Sequence, residues 1–176
     1  MQPNLSIKPY LTEEQIQKKI EEIGKALTDK YKNKQVIAVC VLKGSFMFYS
    51  DLIRQINADI TCEFFGVSSY HGNTSSGEVK VTLDLSSPIE GKHVLLVEDI
   101  MDTGITMNYL KNALLARMPA SLTTVALLEK PEAIKVPCKL DYVGFKISNE
   151  FVVGYGLDYE GYYRNLPYIG QVQNFQ

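Results

Sequence analysis

His93 to Leu110, HVLLVEDIMDTGITMNYL, is the stretch that decides the fold of this 176-residue chain. Val94-Leu95-Leu96-Val97 is a continuous apolar run, the pattern of a strand buried on both faces of a parallel sheet. Three acids follow with no spacer, Glu98, Asp99 and Asp102, around a turn of Thr103-Gly104-Ile105-Thr106. From Thr106 on the pattern is helical, with Met107, Leu110, Leu114 and Leu115 apolar at helical spacing. Strand, polar turn and helix make half of a βαβ unit, and open parallel sheets bind ligands at the carboxyl ends of their strands.

The turn chemistry points to a phosphorylated sugar. Gly104 lets the backbone come close to a ligand, and the amides of Gly104 to Thr106, at a helix N-terminus, can donate to phosphate oxygens. Thr103 and Thr106 add hydroxyl donors without adding charge. Glu98 and Asp99 repel a phosphate but can bind a vicinal diol, as an acid does on a nucleotide ribose. The plainer reading, acids and threonines as helix caps and solvated turn residues, accounts for any one of them. It does not account for so dense a grouping tied to a buried strand.

VEDIMDTGITM closely resembles the phosphoribosyl-pyrophosphate signature of the type I phosphoribosyltransferases. Glu-Asp, two residues, then Asp-Thr-Gly is similar to the variant of their 6-oxopurine branch, the hypoxanthine-guanine phosphoribosyltransferases. The resemblance covers roughly residues 12 to 172. It implies an α/β fold, a mostly parallel twisted sheet flanked by helices, with a small C-terminal hood.

Composition agrees. At 45% hydrophobic and 22% charged the chain is globular, and its length fills one core but not two ordinary domains. The expectation is one domain over residues 1–176, with a core at about 12–148 and a hood mainly of 149–176 plus N-terminal residues. A net charge of −2 argues against a nucleic-acid partner held by phosphate neutralisation. Apolar runs such as Val36 to Leu42 are far too short to span a bilayer, and no basic segment followed by an apolar one opens the chain. Cys40, Cys62 and Cys138 form neither a disulfide framework nor a zinc pattern, and buried or half-buried thiols in a reducing cytoplasm are expected.

Along the chain, Thr12-Glu13-Glu14-Gln15 fits a capping box ahead of Ile16, Ile20, Ile23 and Leu27, an amphipathic helix. Val36 to Leu42 reads as a second buried strand ending in Lys43-Gly44-Ser45, with Phe46, Tyr49, Leu52, Ile53 and Ile56 continuing as a helix. A lysine and a glycine at a strand's carboxyl end can hold an anion. Cys62 to Val67 and Lys80 to Leu85 read as strands flanking a polar segment, and Leu122 to Leu128 and Asp141 to Ile147 as two more. Strands alternating with helices indicate a mostly parallel sheet with right-handed crossovers. An aromatic, glycine-bearing segment from Phe151 to Arg164 follows.

The resemblance assigns roles one position at a time. Asp102 matches the general base at purine N7. Glu98 and Asp99 match the acids that hold the ribose hydroxyls, and Asp102, Thr103, Gly104, Ile105 and Thr106 the 5-phosphate loop. Lys43, Gly44 and Arg164 match pyrophosphate contacts, with the peptide before Lys43 often cis. Ser69 and Tyr70 match the Ser-Tyr pair of a flexible lid. Lys130 matches the lysine on the purine 6-oxo group, Phe151 the aromatic stacked on the base, and Val152 a backbone contact to its edge. Asp158, beside the base, matches an acid that helps hold magnesium, with Glu98 and Asp99 as further ligands.

Together these imply Mg²⁺-dependent transfer of ribose 5-phosphate from phosphoribosyl pyrophosphate to N9 of hypoxanthine and guanine. They imply a homodimer or homotetramer with small-molecule substrates and no nucleic-acid or membrane partner. Two departures stand out: Ile105 where some members carry a lysine, and Asn149 where an acid is common. The competing readings are a xanthine-guanine-preferring enzyme and a regulatory nucleotide- or nucleic-acid-binding protein on the same fold. The second should show a basic face, and Asp102 and Lys43 argue for turnover.

Overall fold

A computed structural model of the chain describes residues 3–69 and 79–173. In chain order the elements are β1 (Ile7–Leu11), α1 (Glu13–Lys30), β2 (Gln35–Leu42), α2 (Phe46–Arg54), β3 (Asp59–Ser69), β4 (Val79–Leu83) and β5 (His93–Met101). Then come α3 (Ile105–Leu115), β6 (Ser121–Glu129), a 3-10 turn (Pro131–Ala133), β7 (Tyr142–Lys146), β8 (Val152–Val153) and β9 (Ile169–Val172). The main sheet runs β4-β3-β2-β5-β6-β7, parallel throughout except for β4 against β3. A second sheet, ordered β1-β9-β8, forms the hood.

Alternation along the central strands fills two apolar layers. Val36, Ala38 and Cys40 face one side with Leu95 and Val97, where α1 and α2 pack. Ile37, Val39 and Val41 face the other with Val94 and Leu96, where α3 packs. Burial on both faces is why these strands are continuous apolar runs. The capping box of α1 is complete: the Gln15 amide donates to Thr12 Oγ1 at 3.2 Å, and the Thr12 amide to Gln15 Oε1 at 2.8 Å. Its buried stripe is Ile16, Ile20, Ile23 and Leu27, as the spacing predicts.

Several expectations shift. The quoted strand runs on past its apolar run to Met101, because the ladder to β6 continues from Glu98↔Ala126 to Met101↔Glu129. Glu98 and Asp99 therefore belong to the strand, and only Asp102 to the turn. The α3 N-cap is Gly104, with φ +80°, so neither Asp102 nor Thr103 is the cap. Leu115 is half exposed, and α2 buries Phe48 with Tyr49 and Leu52 while Phe46 points outward. Cys62 is exposed, contrary to expectation; Cys40 is buried and Cys138 half-buried. Strand β1 had no periodic signature, since Pro9 interrupts it next to a register shift; as an edge strand it tolerates the missing amide.

Candidate functional site

Strand β2 has β3 on one side and β5 on the other, and the chain's strand order reverses between β2 and β5. That reversal is a topological switch point, where loops diverge and leave a crevice. Lys43-Gly44-Ser45 leaves β2 there, Asp102-Thr103-Gly104 leaves β5, and Lys130 follows β6. The Leu42–Lys43 peptide is cis, as the resemblance implies.

Gly44 lies directly on Asp99. A Cβ at Gly44 would fall 1.6 Å from Asp99 Oδ2, so no larger residue fits without moving the carboxylate. Asp99 is nearly buried, and its Oδ1 accepts from the Ile100 amide at 2.8 Å. Burial drives the carboxyl of Glu98 well above the usual carboxylate range, and the neighbouring charge and hydrogen bonding of Asp99 push the same way. Asp99 is also raised by burial, which outweighs its hydrogen bonds to Glu98 and the backbone and the nearby charge of Arg164. Both shifts are upward, and carboxyls so placed titrate as a coupled pair. Glu98 Oε2 is buried with no hydrogen-bond partner.

A cleft of about 190 Å³ opens beside this pair, lined by Glu98, Asp102, Thr103, Gly104, Thr106 and flanking apolar residues. Its turn is fixed from behind. The Thr103 carbonyl accepts from the Lys135 and Val136 amides at 2.9 and 3.1 Å. Gly104 packs so closely on this segment that a Cβ would fall 2.3 Å from the Val136 carbonyl. Asp102 is exposed at the mouth, and Ile105 follows within hydrogen-bonding reach of the Thr103 hydroxyl, 3.4 Å from its amide.

After β6, Lys130 is buried, and its amide donates to the Met101 carbonyl at the end of β5 at 2.9 Å. The Phe151 ring is partly exposed, with Tyr159 edge-on at 6.0 Å and 90°. Val152 is buried in β8, its side chain facing the core. In the segment between β8 and β9, Arg164 donates through Nη1 to the Gly156 carbonyl at 2.5 Å and through Nη2 to Asp158 Oδ1 at 2.7 Å. Asp158 Oδ2 accepts from the Gly161 amide at 2.7 Å. Lys43 is exposed.

The structure thus brings Glu98, Asp99 and Gly44 together, gathers Glu98 with the phosphate turn, and pairs Asp158 with Arg164. Among the described residues it assembles no group of three or more His, Cys, Asp or Glu side chains able to hold a metal ion. Ser69 ends β3, and Tyr70 lies outside the described residues. Sequence reasoning missed Gly156, a Cβ on which would fall 2.1 Å from the Gly44 carbonyl. It also missed Tyr155, whose hydroxyl donates to Asp51. The Gly-Tyr-Gly tripeptide was the visible signal, but only the fold shows what it touches. A larger cleft, about 450 Å³, lies at the opposite end of the sheet, against Gln35–Ile37 and Asp59–Thr61, away from the acids.

Residues 6–160 match the family model of the phosphoribosyl transferase domain. A hypoxanthine-guanine phosphoribosyltransferase of Staphylococcus aureus is 51% identical over 164 residues, covering 93% of this chain and 92% of its own. That of Bacillus subtilis is 47% identical, covering 93% and 91%. A solved hypoxanthine phosphoribosyltransferase from Staphylococcus aureus superposes with a TM-score of 0.91 at 49% identity, covering 96% of this chain and 92% of that one. No described helix is long and apolar enough to cross a membrane. With family model, relatives and fold in agreement, the chain belongs to the phosphoribosyltransferase family, on its hypoxanthine-guanine branch.

Proposed function

We propose that this chain is a purine-salvage enzyme that transfers ribose 5-phosphate from phosphoribosyl pyrophosphate to N9 of hypoxanthine or guanine, giving IMP or GMP and pyrophosphate. The observation that carries this reading is one cleft lined by both the Asp102–Thr106 turn and Glu98, with Asp99 next in sequence to Glu98 and pressed against Gly44.

The amides of Gly104, Ile105 and Thr106 and the hydroxyls of Thr103 and Thr106 take the 5-phosphate. The missing lysine at Ile105 removes a charge contact but no amide donor. Glu98 and Asp99 accept from the ribose hydroxyls, which gives the orphaned Glu98 Oε2 its donor. Lys43, the Gly44 amide and Arg164 hold pyrophosphate. The bond from C1′ to the pyrophosphate oxygen breaks with its electron pair leaving on that oxygen, while the purine nitrogen lone pair forms the C1′–N9 bond. Asp102, exposed at the cleft mouth beside the incoming base, takes the proton released at N7. Lys130 donates to the 6-oxo group, which its ammonium can do and which excludes the 6-amino group of adenine. Phe151 offers its ring face to the base, and Val152 contributes through its backbone.

Asp158, Glu98 and Asp99 are hard oxygen donors, the chemistry magnesium requires. Magnesium takes one or two carboxylates and fills its shell from phosphate and water. When bound, Mg²⁺ offsets the pyrophosphate charge and improves it as a leaving group. A cytoplasmic setting accords with three free thiols. Self-association as a dimer or tetramer is supported by Phe46 and Phe64, both exposed beside Tyr49 on the α2–β3 face. Sedimentation of wild type and Phe64→Glu reads that out.

The direct test is turnover of purified protein with phosphoribosyl pyrophosphate and magnesium, offering hypoxanthine, guanine, xanthine and adenine separately. Nucleotide from hypoxanthine and guanine with none from adenine is expected. Dominant xanthine use would replace this reading with the xanthine-guanine one. No turnover, with phosphoribosyl pyrophosphate bound, would point to a regulatory protein.

A further inference from the structure

Three successive hood residues adopt left-handed backbone: Gly154 at φ +97°, Tyr155 at +51° and Gly156 at +98°. Glycine does this freely. A tyrosine does not, because its Cβ crowds the following carbonyl oxygen there. Something must hold Tyr155 in place, and the structure shows what. Its ring is 5% exposed within the main apolar cluster, and its hydroxyl donates to Asp51 Oδ2 on α2. Gln17 of α1 donates to the same oxygen at 3.1 Å and reaches the tyrosine hydroxyl at 3.5 Å, while Arg54 pairs with the other carboxylate oxygen. Burial pushes the Asp51 carboxyl up, yet the donors from Tyr155, Gln17 and Arg54 outweigh it and hold it below the usual range. Asp51 is therefore a charged acceptor, and a charge-assisted bond is the stronger kind.

The two ends of this link are parts of one subsite. Helix α2 begins immediately after Lys43-Gly44-Ser45, and the Phe46 amide donates back to the Lys43 carbonyl at 3.4 Å. On the hood side, Gly156 rests on the Gly44 carbonyl. Gly156 also seats Arg164: its amide donates to the Arg164 carbonyl at 2.9 Å, and its own carbonyl accepts from the guanidinium. Asp99, Gly44, Gly156 and Arg164 thus form a stack, with Tyr155 as the peg that holds the upper half over the lower.

We propose that Tyr155 is a positioning residue: through its bond to Asp51 it sets the height of Gly156 and Arg164 over the Lys43–Gly44 turn and so shapes the pyrophosphate subsite. This rests on the function proposed above and assigns a role to a side chain that touches no substrate. The main purine contacts sit on other elements, Lys130 after β6 and Phe151 before β8, and only Asp158, paired with Arg164, links the two sides. Loosening the peg therefore acts on pyrophosphate recognition and leaves base recognition largely intact.

The test compares wild type with Tyr155→Phe, which keeps the ring, and with Asp51→Ala and Asp51→Asn, the last retaining an acceptor. In Tyr155→Phe and Asp51→Ala, KM for phosphoribosyl pyrophosphate should rise about tenfold or more, with KM for hypoxanthine changed less than about twofold. Asp51→Asn should restore much of the loss, and the double variant Tyr155→Phe/Asp51→Ala should be no worse than either single one. Pyrophosphate binding by titration calorimetry, which needs no turnover, should weaken in parallel. A fall in melting temperature with both KM values and pyrophosphate binding unchanged would overturn the proposal, leaving Tyr155 as packing alone. Equal loss on both substrates would overturn it too. An inactive wild type would instead sink the function, and calorimetry would still decide the peg.

Discussion

At residue scale, Glu98 and Asp99 carry a cost that solvated acids would not. Burial raises both carboxyls, Glu98 most, so the folded chain retains a proton that the unfolded chain releases. A raised carboxyl pKa contributes stability in full below the unfolded value of about 4, and that contribution is lost as pH climbs through the folded value. Glu98→Gln removes the titrating group while keeping the shape. The variant should melt roughly 2–4 °C above wild type at pH 8, with the gap closing by pH 5, and should lose turnover through its weakened hold on ribose. Thermal melts across that range read the sign; a variant that melts below wild type at pH 8 would contradict it. That these two acids stand beside a glycine- and threonine-bearing turn was legible because nine residues carry the whole grouping. Their upward shifts were not, since these follow from burial, which the fold sets through contacts far away in sequence such as that of Asp99 with Gly44.

At the scale of elements, the turn between β5 and α3 is held by a segment that carries no motif. Gly104 has φ +80° and leaves no room for a Cβ against the Val136 carbonyl, so Gly104→Ala is strained twice over. It should destabilise the fold by about 2 kcal/mol or more and raise KM for phosphoribosyl pyrophosphate, measured by denaturant unfolding and initial rates. Unchanged stability would mean that the segment after Lys130 yields easily. The elements themselves were readable where their signals are local. Thr12 and Gln15 mark the start of α1 because both halves of the box lie within one turn. The end of β5 was misread because polar residues at the tip of a parallel strand resemble a loop, while the ladder to β6 continues regardless of side chain. The face of α2 was misjudged because Phe46 and Phe48 are equally apolar, and only the sheet's position selects Phe48.

Across the whole molecule, the main apolar cluster joins Val36, Cys40 and Val97 of the large sheet to Val152, Tyr155, Leu157 and Ile169 of the hood. We expect core and hood to unfold as one unit. Far-ultraviolet dichroism and fluorescence of the tyrosines, in a chain with no tryptophan, should report coincident transitions. Separate midpoints would make the hood an independent body. The hood's first strand was not legible, because IKPYL has no period of its own and its partner lies at the other end of the chain. That pairing orders events during synthesis. Strand β9 is the middle of the β1-β9-β8 sheet, so neither neighbour has its partner in that sheet until Ile169–Val172 has been made. The strands bearing Lys43 and the phosphate turn leave the ribosome much earlier. A nascent chain therefore carries Lys43 and the Asp102–Thr106 turn well before the small sheet beside Arg164 can close.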